Sequence, residues 1–181
     1  GKVLYLGLSN FAAWQIMKSI SITEAKNWAP ISCFQPMYNL LKRQCESELL
    51  PMAQSEGLGV FPYSPLAGGW LTGKYLNTQP DIGRFKTSKM YQKRYEQERN
   101  LETTKAFLDF AKTHNHHPVS LAIAWVASHP GITAPIIGAR NIDQLRPSLA
   151  SLDIKLSDAD RETISSFSLS PAIATDRSEE I

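Results

Sequence analysis

The chain has 181 residues, 43% of them hydrophobic, and 19 Lys and Arg against 17 Asp and Glu give a net charge of +2. A chain of this size buries one sizeable core or forms part of a larger domain, and so even a charge balance argues against nucleic acid or a membrane surface as its partner. It carries no signal-peptide pattern and no run of eighteen apolar residues, and Cys33 and Cys45 fit no metal or redox spacing, which predicts a reduced, cytoplasmic setting.

Gly1-Lys2 leads directly into the apolar run Val3–Leu8, a buried-strand pattern with nothing before it to pair, from which a further N-terminal part is expected. Ala12 to about Trp28 follows as a helix carrying Trp14, Ile16, Met17 and Ile20. A second run, Ile31–Met37, precedes a helix over Glu46–Ser55 that Gly57 stops. The third run is Leu58–Tyr63. Residues 76–98 then form a long polar stretch with Pro80 and Gly83, expected to be a loop that covers a site through Tyr91 and Tyr95. Glu98–Thr113 sets Phe107, Phe110 and Ala111 on one helical face, and Pro118 opens a helix along Leu121, Ala124, Trp125 and Ser128. The fourth run is Thr133–Ile137. Helices over Asn141–Ser151 and from Ser157 onward end the ordered part, 1–167, and residues 168–181 read as a tail. His114, His116 and His117 approach a helix start with no suitably spaced carboxylate or cysteine, so no metal is expected.

Each of the four runs is apolar throughout rather than alternating, as in strands buried on both faces, and helices separate them. The chain is therefore expected to be α/β with parallel strands. A doubly wound sheet would mark its cofactor with a glycine-rich turn after the first strand, and Gly7-Leu-Ser-Asn-Phe is no such turn. In a (β/α)8 barrel the chemistry sits at the C-terminal strand ends, which is where the polar residues fall here, and four βα units are half of one.

At those strand ends, Ser9 and Asn10 suit either a carboxamide ligand or the cap of the helix beginning near Phe11. Gln35 lies inside an apolar run, where a buried amide needs partners, from a ligand or from neighbouring barrel residues. Tyr63-Ser64-Pro65-Leu66-Ala67-Gly68-Gly69 reads as a proline–glycine turn after a core tyrosine, or as an aromatic face followed by small residues that let backbone approach a pyrophosphate. Ala134–Leu145 joins an apolar run through Gly138 and Arg140 to a helix start at which Asn141 and Gln144 have capping spacing. That is the layout of a phosphate site or of an ordinary strand–loop–helix junction.

Four blocks in order, GKVLYLGLSNF (1–11), QPMYNLLKR (35–43), YSPLAGGWLTGKY (63–75) and IIGARNIDQL (136–145), resemble the C-terminal half of an aldo-keto reductase. The third block points to the long-loop branch that also holds the potassium-channel β-subunits. The resemblance implies NADP(H) as cofactor and an aldehyde or ketone as substrate. Ser9, Asn10 and Gln35 would hold the nicotinamide carboxamide and Tyr63 would stack on its ring. Ser64, Pro65, Leu66, Ala67 and Gly69 would line the pyrophosphate, with Lys74 and Arg84 closing over it. Gly138 and Arg140 would hold the 2′-phosphate, and Gln144 and Ser148 would meet the adenine end, where Pro147 and Ser148 stand in place of an acidic residue and an asparagine. The family's catalytic tyrosine, lysine, aspartate and histidine belong to the barrel's first half, and no block here matches them. The resemblance thus implies a chain inactive by itself and prone to self-association, or alternatively a non-catalytic nucleotide-binding or interaction protein.

Overall fold

The structure, a computed structural model, describes residues 1–76, 88–95 and 97–175. Three parallel strands, β1 (Leu6–Ser9), β2 (Ile31–Gln35) and β3 (Gly59–Val60), form a sheet in that order, with Gly7 opposite Cys33, Ser9 opposite Gln35 and Phe34 opposite Val60. Each strand returns to the next through a helix, which is what parallel pairing requires. Helix α1 (Ala13–Ala25) joins β1 to β2, and α2 (Leu49–Ser55) joins β2 to β3. The remaining helices among the described residues are α3 (Lys89–Tyr95), α4 (Glu98–Thr113), α5 (Pro118–Ala127), α6 (Ile142–Leu149) and α7 (Asp158–Ser166).

The sequence cues account for the helix boundaries. Pro118 sits at the start of α5, where its missing N–H costs nothing, and Nδ1 of His117 accepts from the Val119 amide at 3.2 Å. Ser157 accepts from the Asp160 amide at 3.1 Å to cap α7, whose first turn carries Asp158 and Asp160. Helix α5 is buried from Ser120 through Val126, which matches a segment apolar on every side. It forms the centre of a core with Phe34 and Val60 of the sheet, Leu50 of α2, Phe107 of α4 and Ile164 of α7.

Three expectations change. The run Thr133–Ile137 is not a strand of the sheet. It lies extended beside β3, with the amides of Thr133 and Ile136 donating to the carbonyls of Val60 and Pro62 at 2.9 and 2.8 Å. The rising register of these bonds is parallel. The Thr133 hydroxyl takes the Val60 amide at 2.9 Å and Pro135 has no N–H, so a regular ladder does not form. The first run is not buried on both faces either: β1 begins only at Leu6, and Leu4 and Tyr5 are 81% and 78% exposed, because β1 pairs on one side alone among the described residues. Finally, the polar stretch 76–98 is not one loop, since it contains α3. Tyr95 of that helix is wholly buried, a core residue rather than part of a cover, whereas Tyr91 is half-buried.

Candidate functional site

The parallel register brings the C-terminal ends of β1, β2 and the third run together. Ser9, opposite Gln35, donates its hydroxyl to the Gln35 carbonyl at 3.0 Å. Asn10 follows with a left-handed φ of 58°, a conformation that asparagine tolerates better than most residues. Its amide nitrogen donates to the Ser9 hydroxyl at 3.1 Å, and its amide oxygen accepts from the Tyr63 hydroxyl at 2.8 Å. The Tyr63 ring is thereby fixed from β1, fifty-three residues away. Ser9, Asn10, Gln35 and Tyr63 thus share one end of the sheet.

The Gln35 side chain is exposed, which corrects its expected burial. Alternate residues of a strand face opposite ways. The Phe34 side chain is buried in the core, while Gly7, Ser9, Cys33, Gln35, Phe61 and Ile136 line an open cavity of about 430 Å³ that Leu8 and Phe34 also border. No buried amide has to be satisfied there.

After Tyr63 the backbone turns through Ser64 (φ 59°) and Ala67 (φ 51°) to Gly68 and Gly69 (φ 67° and 101°), both within the 3₁₀ segment Ala67–Thr72. Pro65 and Ala67 are buried and Leu66 is half-buried. A Cβ at Gly69 would stand 2.8 Å from the Lys74 ammonium, and one at Gly68 would stand 2.7 Å from the Tyr91 ring. Glycine is therefore needed at both positions for φ, and at Gly68 the Tyr91 ring also takes the space, whereas at Gly69 the flexible end of Lys74 can shift. Lys74 rests over this turn, its ammonium 4.9 Å from the Tyr75 ring centroid.

One buried side chain orders the turn and was not singled out from the sequence. Asn39, fully buried, donates to the Ser64 carbonyl at 2.9 Å and contacts the Tyr95 hydroxyl at 3.2 Å, while its own oxygen accepts from the Leu41 amide at 3.1 Å. The sequence signal was a lone asparagine between Tyr38 and Leu40. Burial pushes the Tyr95 phenol up to about 12, with the Asn39 contact and Arg94 acting against that rise. Tyr95 therefore stays neutral and able to hydrogen-bond.

Running parallel to β3, the fourth run delivers Gly138 and Arg140 to the same end as Tyr63. Both are exposed, and nothing lies within 4 Å of a Cβ placed at Gly138. Asn141 caps α6 by accepting from the Gln144 amide at 3.0 Å, and the Gln144 side chain accepts from the Arg140 amide at 3.1 Å. This reciprocal cap leaves the Arg140 side chain pointing from a fixed backbone. Ser148 is buried, its hydroxyl donating to the Gln144 carbonyl at 3.2 Å, so it meets solvent less than expected. Arg84 lies outside the described residues. Among the described residues no group of three or more His, Cys, Asp or Glu side chains could hold a metal, and no helix is long and apolar enough to cross a membrane.

Comparison with known proteins adds to this geometry. Over 156 residues the chain is 38% identical to the uncharacterized oxidoreductase YrpG of Bacillus subtilis, covering 86% of this chain and 46% of that protein. It is 34% identical over 158 residues to protein tas of Escherichia coli, covering 87% and 46%. It is 33% identical over 169 residues to aflatoxin B1 aldehyde reductase member 2 of Mus musculus, covering 84% and 46%. The chain thus spans about half the length of the curated relatives it matches. Residues 1–168, which hold the strand-end residues, the glycine turn and the Arg140 junction, match the aldo/keto reductase family, and the chain belongs to that family of oxidoreductases.

Proposed function

We propose that this chain is the NADP(H)-binding half of a (β/α)8 aldo-keto reductase barrel that reduces aldehydes or ketones to alcohols in the cytoplasm. One observation carries the reading: the Ser9–Asn10–Tyr63 network, the Gly68–Gly69 turn under Lys74 and the Arg140 junction all lie at one end of four parallel extended segments. That is the end at which barrels of this kind place their chemistry. The cytoplasmic setting is supported by two free cysteines, Cys33 and Cys45, the latter pushed up to about 12 chiefly by burial and so kept as an inert thiol.

The residues fit a nicotinamide dinucleotide phosphate. The Gly69 cradle, which a Cβ would fill, lies beneath a lysine ammonium and suits a pyrophosphate. Arg140, on a capped helix start, suits a terminal phosphate. When bound, NADPH supplies a hydride. Tyr63 offers an aromatic ring at a strand end for a heterocycle to stack on, and its bond to Asn10 tethers the hydroxyl end of that ring. Ser9 and the exposed Gln35 amide offer donors and acceptors to a carboxamide. Ser64, Pro65, Leu66 and Ala67 shape the turn under Lys74, and the resemblance assigns Arg84 beside that lysine, and Gln144 with the buried Ser148 to the adenine end.

Arg140 tests the reading. Arg140→Glu is expected to weaken NADPH binding about tenfold or more while leaving NADH binding nearly unchanged, because a 2′-phosphate is the only difference between the two ligands. Fluorescence titration of both nucleotides measures it. Equal loss for the two would show that Arg140 does not read that phosphate.

A further inference from the structure

A second cavity, of about 530 Å³, opens between three parts of the chain: the turn after β2 at Leu40–Gln44, the first turns of α4, and the segment that follows α7. Neither β1 nor the run 133–137 borders it. Hydrogen bonds set its walls against one another. Arg43 donates to the Ser165 carbonyl at 2.7 Å and to the Ser168 hydroxyl at 3.2 Å. Thr103 donates to the Phe167 carbonyl at 2.7 Å, and Ser47 to the Ala172 carbonyl at 2.6 Å. The cavity is therefore preformed, and its volume suits a small organic molecule.

Its lining leaves hydrogen-bonding groups open. Asn100 is 5% exposed and donates its amide nitrogen to the Tyr95 carbonyl at 3.0 Å, which settles the way the amide points. Its amide oxygen takes no hydrogen bond among the described residues, and a buried acceptor on a cavity wall calls for a donor. Arg99, beside it in sequence and on the same lining, spends only Nε, on the Gln97 amide oxygen at 2.9 Å. Lys42 lies close to both Arg99 and Arg94, and none of the three forms an ion pair among the described residues. Burial, with the two arginines adding to it, lowers the Lys42 ammonium, so this rim lacks a counter-charge. Leu41, Ala106, Phe167 and Leu169 supply an apolar wall, and Glu102 adds one acid.

We propose that this cavity binds a small 2-hydroxycarboxylate with an apolar substituent. The carboxylate meets the Arg99 guanidinium, whose planar fork matches two oxygens, and the hydroxyl donates to the Asn100 amide oxygen. The substituent lies against Leu41, Ala106 and Phe167. Because Arg99 and Asn100 are neighbours in sequence, the anion and the donor belong on adjacent carbons of the ligand. Glu102 decides between anions: a phosphate ester carries about −1.5 to −2 charges and is repelled beside it, whereas a carboxylate carries one.

Isothermal calorimetry with mandelate, a 2-hydroxycarboxylate that bears a phenyl ring, tests this. Saturable one-to-one binding is expected. Phenylacetate, the same acid without the hydroxyl, is expected to bind about tenfold more weakly, because the Asn100 oxygen then goes unmet. Arg99→Ala changes an exposed side chain, so it is expected to keep the parent's circular dichroism and to lose mandelate affinity about tenfold or more. Arg140→Glu is the control for the other cationic site and is expected to leave mandelate binding unchanged. No binding of mandelate, equal binding of the two acids, or an unchanged affinity in Arg99→Ala overturns the proposal. Loss of mandelate in Arg140→Glu also overturns it, since the probe would then sit where the cofactor's phosphate is expected.

Discussion

At the scale of single residues, the candidate site depends on side chains that bind nothing themselves. Asn39 holds the Ser64 carbonyl from beneath and the Tyr95 hydroxyl from the side, with no solvent to replace either contact. Replacing it with alanine leaves a buried carbonyl and a buried phenol short of a partner, at a cost of about 1–3 kcal/mol. We expect Asn39→Ala to lower the urea midpoint accordingly and to weaken NADPH binding, while Asn39→Asp recovers less than half of the loss because it removes the donor. A variant with unchanged midpoint and unchanged titration would show that the turn is ordered by Gly68, Gly69 and Tyr91 alone. Position was readable at the ends of the apolar runs: Arg140 after Gly138 and Tyr63 before Ser64 and Pro65 lie at the same end of the parallel segments. It was misread at Gln35, whose neighbours in sequence are apolar but whose face of the strand is open. Composition of a run reports average burial, whereas exposure alternates residue by residue along a strand.

Among elements, α7 is the one most dependent on charge. Arg161 donates to the Trp125 carbonyl and the Ser128 hydroxyl, each at 2.6 Å, and reaches the Tyr38 hydroxyl at 3.3 Å. Arg43 donates to the Ser165 carbonyl at 2.7 Å and grips both oxygens of Glu46. The two guanidinium groups stand 5.0 and 5.9 Å from the Trp125 ring centroid. Burial raises the Glu46 carboxyl, but the bonds from Arg43 and Tyr38 outweigh it and hold the group below the ordinary carboxylate range. Burial, aided by Arg161, lowers the His129 imidazole, which lies edge-on to Tyr38. The signs agree in direction and differ in window. A lowered His129 means that the unfolded chain takes up its proton first, so stability falls as pH drops below about 6.5. A lowered Glu46 adds a second loss as pH drops below about 4.3, where the unfolded chain takes up a proton that the folded carboxylate refuses, and the loss is complete below the folded value. Urea midpoints between pH 8 and pH 3 are expected to show the His129 step and then the onset of the Glu46 step, and His129→Gln to remove the upper one alone. A midpoint constant from pH 8 to pH 5 would contradict the His129 assignment. The sequence showed α7 through its Ser157 cap and acidic first turn. The staple across it joins residues up to 125 apart, and no local pattern reports such pairings.

For the whole molecule, the order of the parts was more legible than their extent. Helices α4 and α5 begin where Glu98 and Pro118 foretold, because caps and proline act locally. The fourth strand failed because regular pairing depends on its neighbour: the Thr133 hydroxyl, 73 residues away in sequence, takes the amide that a ladder would use. Helix α3, by contrast, was hidden in a polar stretch, and its place is fixed by Tyr95 reaching Asn39 across 56 residues. A further expectation belongs at this scale. With no block matching the family's proton-donor set, the 181-residue chain should bind NADPH but not consume it when offered a reactive aldehyde. The absorbance of the reduced nicotinamide at 340 nm follows this directly, and clear turnover would mean that residues of this half supply the acid.

The sheet also has a history in time. Every pair of neighbouring strands is a pair of neighbours in sequence, so the sheet can be laid down in the order of synthesis. At about 5–20 residues per second, Leu6–Ser9 leaves the ribosome roughly 6–25 s before Thr133 does. During that interval β2 can pair with β1 and β3 with β2, so the sheet grows outward from β1 in the order the chain is made. The rate at which the polypeptide is made therefore sets how long each strand waits for its neighbour.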